Sequence, residues 1–299
     1  MKKSILLAAL PLYAVADVYR YTFMRKRPPL LRKLLDKKSH AGDYYVRRDS
    51  AAERLRNMPC TRYTVRSDRG ERLCGFYYPC SDSPSGRIAF IVHGYRSEHL
   101  ETAGMFFELY HRRGFDVFTC DNTASGESGG RIFGYDVFES ADCLKWLDFL
   151  TNEFGADVQI LLHGFSLGGA TVLKMSDRCP DNVRFIVSDS GYVDAREILR
   201  PSLGAAYPMF AAINRVIAGY SLKDSCVCDN VAHSKVPLLI VHGTADPTVP
   251  FSMAPRIFKL CPPGSECLFT EGLRHIETVH YNADDYEARL DSFIEKYFI

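Results

Sequence analysis

A serine set between glycines, in the run Gly164-Phe165-Ser166-Leu167-Gly168, is the residue whose surroundings most plainly suggest chemistry. Glycine at 164 and at 168 lets a strand turn sharply into a helix, so this nucleophile elbow should hold Ser166 strained and exposed at the strand's carboxyl end. A serine hydroxyl is a weak nucleophile until a base takes its proton, and the base needs a carboxylate to orient it. In a strand-turn-helix setting these partners are expected further along the chain, acid before base, each on a loop after a later strand. The segment VPLLIVHGTADPTVP supplies Asp246, and ECLFTEGLRHIETVHY supplies His275. Asp189 is the alternative acid, but it lies close to its own strand. His280 is the alternative base and falls where the last helix should begin.

Attack on a carbonyl also needs donors for the oxyanion. The backbone N–H of Leu167, at the start of the helix, is one candidate. The backbone N–H of Tyr95, just after Gly94 in IVHGYRSEH, is the second by its position after the first parallel strand. His93, His163 and His242 each precede a glycine at a strand end, where an imidazole is expected to satisfy loop backbone groups.

These residues need a scaffold, and the alternation of patterns describes one. CTRYTVRS and RLCGFYYP read as antiparallel strands joined at Asp68 to Gly70. Continuous apolar runs, typical of strands buried on both faces, follow in RIAFIVHG, FDVFTCDN, VQILLHGFS, VRFIVSDSG, VPLLIVHG and ECLFTEG. Helical patterns lie between them, over 98–113, 136–153, 167–178, 252–261 and 283–298. The expected fold is α/β: a mostly parallel central sheet flanked by helices. Residues 1–59 read as an apolar segment and basic helical linker, and 60–299 as the main domain. Between VRFIVSDSG and VPLLIVHG the chain is far longer than a crossover needs, so residues from about 192 to 235 are expected to form a helical cap over the crevice. Tyr207, Met209, Phe210, Ile213, Val216 and Ile217 form its apolar stripe, and Tyr192, Leu203, Tyr207, Phe210 and Ile213 are candidate pocket residues. Ordinary packing within the cap is the competing role for each of them.

Composition limits the partners. The 299 residues are 46% hydrophobic, and 37 Lys and Arg stand against 36 Asp and Glu, so no basic field marks a nucleic-acid binder. The ten cysteines form no CxxC pair and no zinc spacing, and read as reduced thiols, which favours a reducing compartment. No metal or cofactor is expected. The amino terminus, MKKSILLAALPLYAVADVYRYTFMRKRPP, has three readings: an export signal cut near Ala14-Val15-Ala16, a membrane anchor, or an amphipathic helix on the domain or the membrane surface. Arg20, Arg25, Lys26, Arg27, Arg32 and Lys33 outnumber Lys2 and Lys3, so an anchor would leave the body in the cytoplasm. The expected location is cytoplasmic with membrane tethering possible, export being the alternative.

Taken together, IVHGYRS, HGFSLGGATVL, SDSGY, AGYSLKD, HGTADPTVPF and GLRHIETVHYNADDY resemble the α/β-hydrolase superfamily, and within it the bacterial serine hydrolases of the serine-aminopeptidase-like and esterase-like branch. The resemblance covers roughly 60–299 and implies Ser166 as nucleophile, Asp246 as acid, His275 as base, and Tyr95 and Leu167 as oxyanion donors. It departs from the pattern after FTCD, where Thr123 and Ser125 replace an Arg and a His, so the hydrogen bonds of that loop should differ. The function expected is hydrolysis of carboxylic esters of small, partly apolar substrates. A peptidase for short peptides, with Asp194 or Glu197 anchoring a terminus, is the second expectation. A binding protein that merely kept the fold is the third, and an intact Ser, Asp and His set argues against it.

Overall fold

The computed structural model describes residues 2–35 and 43–298; the side chains of residues 2–12 and 43–45 and of Thr102 lie outside that description. Eight strands form one sheet: β1 (Thr61–Arg66), β2 (Arg72–Tyr78), β3 (Arg87–Val92), β4 (Asp116–Asp121), β5 (Gln159–Phe165), β6 (Val183–Asp189), β7 (Leu238–Gly243) and β8 (Glu266–Thr270). Their order across the sheet is β1-β2-β4-β3-β5-β6-β7-β8. β2 runs antiparallel to both β1 and β4, and every other pair is parallel. The apolar runs from β3 to β7 are buried along nearly their whole length because helices cover both faces.

The helices among the described residues are α1 (Lys2–Phe23), α2 (Pro29–Leu35), α3 (Asp43–Arg56), α4 (His99–His111), α5 (Val137–Phe154), α6 (Leu167–Lys174), α7 (Ala195–Leu203), α8 (Tyr207–Ala218), α9 (Cys228–Ala232), α10 (Met253–Phe258), α11 (Thr278–Tyr281) and α12 (Ala283–Tyr297). Period-2 alternation along the strands sorts their side chains into two cores. Ala89, Ile91 and Leu161 face Phe106 and Tyr110 of α4 and Phe293 of α12. Phe90, Val92 and Leu162 face Trp146 of α5, Val172 of α6 and the carboxyl half of α1.

Two features position the site. β3 has β4 on one side and β5 on the other, so the chain reverses direction across the sheet at β3, the place beyond whose carboxyl ends open sheets of this kind bind ligands. α7, α8 and α9 occupy the long connection between β6 and β7. The expected apolar stripe on α8 is corrected: Phe210 is buried, but Met209, Val216 and Ile217 are exposed. The buried face of α8 carries Asn214 instead, because the Tyr19 hydroxyl of α1 donates to its Oδ1 at 3.2 Å.

α1 continues unbroken through Ala14-Val15-Ala16, and Tyr19 and Phe23 are buried in the sheet core. Met24 bridges to Ile132, and the Phe133 N–H donates to the Phe23 carbonyl at 2.9 Å. Among the described residues no helix is long and apolar enough to cross a membrane. All ten cysteines are free thiols.

Candidate active site

Ser166 joins β5 to α6 with φ 55° and ψ −120°. This backbone costs a residue with a Cβ about 1–3 kcal/mol, so it persists only where the surroundings enforce it. The enforcement is steric. A Cβ on Gly164 would fall 2.1 Å from the Gly168 carbonyl oxygen, and one on Gly168 would fall 2.1 Å from that of Val92. The Ser166 N–H donates to the Asp189 carbonyl at 2.9 Å, and the Ser166 carbonyl accepts from Ala170 N–H at 3.0 Å, which pins the corner from both sides.

The structure brings His275 to Asp246. The imidazole Nδ1 donates to Asp246 Oδ2 at 2.6 Å. The other carboxylate oxygen accepts from the N–H groups of Thr248 at 2.7 Å and Val249 at 2.9 Å. The Asp246 side chain is fully buried, while that of His275 is 19% exposed. Burial alone would raise the Asp246 pKa, but hydrogen bonds from His242 and His275 hold it well below the usual carboxylate range, so it stays ionised. His242 was expected only to satisfy loop backbone. Its Nε2 does donate to the Val249 carbonyl at 3.0 Å, yet it also lies 3.3 Å from Asp246 Oδ2. The four-residue spacing in HGTAD is the signal that sequence reasoning missed.

Loop-to-loop bonds assemble the three segments. The Ala245 N–H donates to the Leu273 carbonyl at 3.0 Å, tying the Asp246 loop to the His275 loop. The Ile276 N–H donates to Ser190 Oγ at 3.2 Å, tying the His275 loop to the end of β6. Asp189 is not the partner of the base: it accepts from Ser190 Oγ at 2.9 Å and from the Tyr286 hydroxyl at 3.4 Å, and burial pushes its pKa up to about 6. His280 lies in α11. His93 does serve the loops, contacting the Gly94 carbonyl through Nδ1 at 2.8 Å and accepting from Asn122 N–H at 3.0 Å. His163 does not, and its expected role is corrected. Its two nitrogens meet the hydroxyls of Tyr110 at 2.7 Å and Tyr286 at 3.0 Å, and burial pushes its pKa down to about 3.

The loop after β3 passes beside Ser166: a Cβ on Gly94 would lie 3.4 Å from Ser166 Cβ. Among the described contacts, neither Tyr95 N–H nor Leu167 N–H donates to a main-chain carbonyl. What holds this loop comes from far away in the chain. The Tyr95 hydroxyl donates to the Thr22 carbonyl at 2.6 Å. The Arg96 guanidinium donates to the carbonyls of Tyr21, Met24 and Arg25 at 2.5, 2.9 and 3.3 Å. Tyr21 stands in the last turn of α1 and Met24 and Arg25 directly follow it, and a helix carboxyl terminus favours a cation there. Arg96 itself has φ 57°, so the loop conformation is enforced by these bonds.

Thr123 and Ser125 are held within the β4 loop. Thr123 donates through its N–H (3.2 Å) and its hydroxyl (2.5 Å) to Asp142 Oδ2 on α5, and the Ser125 N–H closes a turn on the Asn122 carbonyl at 3.0 Å. The candidate pocket residues pack into the core: Tyr192 and Phe210 are buried in it, and Leu203, Tyr207 and Ile213 lie partly against it. None of the five lines a described cleft. The proposed peptide anchors are engaged elsewhere. Asp194 caps α7 and pairs with Arg196, and Glu197 binds Arg256 at 2.8 and 3.0 Å.

A mostly parallel sheet, a serine on a strained corner after its fifth strand and a bonded Asp and His pair on two later loops define an α/β-hydrolase. Residues 107–298, well over half the chain, match the prolyl oligopeptidase family, and the chain belongs to that family of esterase- and peptidase-like hydrolases. It is 23% identical to the uncharacterized protein YqkD of Bacillus subtilis, over 81% of this chain and 82% of the relative. It is 21% identical to human alpha/beta hydrolase domain-containing protein 17B, over 78% and 75% of the two chains. Among solved structures, the Pyrococcus furiosus esterase Pf2001 superposes with a TM-score of 0.67 at 17% identity, covering 82% of this chain and 95% of that one. The esterase domain of a Rhodothermus marinus protein does so with a TM-score of 0.59 at 20% identity, covering 80% and 99%.

Proposed function

We propose that this hydrolase cleaves carboxylic esters of small, partly apolar substrates through an acyl-enzyme on Ser166. The observation that carries the reading is the 2.6 Å bond from His275 to an ionised, buried Asp246, on loops tied to the end of β6, where the Asp189 carbonyl accepts from the N–H of the strained serine. Asp246 holds the imidazole in the tautomer whose free Nε2 accepts the Ser166 proton as the hydroxyl attacks the carbonyl. The oxyanion that develops is met by the N–H groups of Tyr95 and Leu167. His275 then protonates the leaving alcohol, and water, activated by the same imidazole, releases the acid. The esterase names of the structural neighbours agree with an ester, and the family name agrees with a peptide, so short peptide amides are the second substrate class. The paired state of Asp194 and Glu197 removes the anchors such a peptide was expected to use.

The test is labelling with a fluorophosphonate, followed by peptide mass spectrometry, alongside hydrolysis of p-nitrophenyl esters and aminoacyl p-nitroanilides. A single adduct on Ser166, absent from Ser166→Ala, with ester turnover above amide turnover, is the expected result. A folded protein without an adduct would overturn the serine mechanism, and amide turnover above ester turnover would overturn the choice of substrate.

A further inference from the structure

A second cavity lies beside the loop that carries Tyr95. It is a cleft of about 810 Å³ between the carboxyl end of α1, the start of α2 and the loops after β3 and β4. Six cations line it: Arg20, Arg25, Lys26, Arg27, Arg32 and Arg96. Glu98 and Glu101 are the two carboxylates on its wall. Asp17 lies 3.3 Å from Arg20 and takes part of its charge. Glu101 lies 3.5 Å from Arg48, which does not line the cleft and pairs with Asp49 at 2.7 Å. Burial raises the Glu98 pKa, which works against a negative charge there.

The way the cations are held matters more than their number. Arg25 donates to the carbonyls of Gly126 and Ser128, and Arg96 to those of Tyr21, Met24 and Arg25. Carbonyl oxygens fix a guanidinium in place without cancelling its charge, so two oriented cations face a cleft whose low-dielectric walls concentrate their field. A single carboxylate would balance only one of these two cations. A phosphate monoester brings close to two negative charges and three acceptor oxygens, which the N–H groups that Arg25 and Arg96 do not give to carbonyls can share with the Lys26 ammonium.

We infer that this cleft binds a phosphate-bearing group, carried either by a small soluble ester or by a lipid headgroup, and holds it beside the Tyr95 loop. The binding step needs no catalysis by Ser166. The position of Arg96, directly after Tyr95, is what links the cleft to the reaction proposed above.

The experiment uses full-length Ser166→Ala protein, so that no probe is consumed, and two binding assays. Calorimetry compares glycerol 3-phosphate with glycerol. Co-sedimentation compares phosphatidylcholine vesicles with and without phosphatidic acid. Lys26, exposed at the cleft edge, is changed in Lys26→Glu alone and together with Arg20→Gln, with circular dichroism to verify folding; where the double variant fails to fold, Lys26→Glu and added salt are the readouts. The expected result is binding of the phosphate probe and not of its neutral control, weakened about tenfold or more by the variants and by salt. Binding of glycerol 3-phosphate assigns the soluble source, and binding of phosphatidic acid vesicles alone assigns the lipid source. Binding of neither probe, or binding that the variants leave unchanged, would overturn the inference. Fluorophosphonate labelling of the wild-type protein reports separately on Ser166, so either reading can fail without the other.

Discussion

At the scale of single residues, the proposed mechanism divides the work between Asp246, for electrostatics, and His275, for proton transfer. The acid is buried and ionised, while the base keeps part of its ring open. Asp246→Asn preserves the shape but invites the wrong imidazole tautomer, so kcat for an ester substrate should fall by about 10⁴. His280→Ala should keep most of the activity, because His280 stands on α11 rather than beside Asp246. The reverse ranking of these two variants in a steady-state assay would move the base from 275 to 280. Both residues of the pair were legible in the sequence, since each follows an apolar strand run at a turn marked by glycine. Their bond was not, because 29 positions separate them.

At the scale of elements, α1 is part of the hydrolase core along its carboxyl half. Phe23 stacks on Tyr19 with ring centroids 4.9 Å apart and meets Tyr135 edge-on at 5.5 Å. Its side chain is fully buried, so Phe23→Ala should lower the unfolding free energy by about 3–5 kcal/mol. An unchanged midpoint in urea would mean that α1 does not dock in solution. The same helix end holds the Tyr95 loop through Arg96. Arg96→Ala should therefore reduce kcat by about tenfold to a hundredfold, with a smaller effect on KM, because the loop loses its geometry while the rest of the crevice stays. A matched loss in KM with kcat unchanged would assign Arg96 to substrate binding alone.

Over the whole molecule, buried carboxylates set a pH dependence that runs opposite to that of Asp246. Burial raises Asp189 from 3.8 to about 6 and Glu139 from 4.5 to about 7. A carboxyl with a raised folded-state pKa binds its proton more tightly in the native protein. Its stabilising contribution is therefore complete below the unfolded value and is lost as pH rises through the folded one. For Asp189 the difference of two units corresponds to about 3 kcal/mol. Asp189→Asn should flatten the dependence of Tm on pH between 3.8 and about 6, leaving the slope contributed by Glu139, Asp142 and Asp136, which burial also raises. An unaltered profile would mean that Asp189 ionises freely in the fold.

By itself the amino-acid sequence determined the strand and helix alternation, the elbow at Ser166 and the order of Ser, Asp and His. Those follow from local physics: apolar runs need two covered faces, and only glycine tolerates the 2.1 Å approaches at positions 164 and 168. Tertiary structure decided what periodicity could not express. It turned Met209, Val216 and Ile217 outward, because α8 spends its buried face on Phe210 and on Asn214, the partner of Tyr19. It also made the end of α1 a support for Tyr95 and one wall of a cationic cleft. Arg96 reaches carbonyls 71 to 75 positions away, and no local pattern records which distant main-chain oxygens will need a donor once the chain has folded.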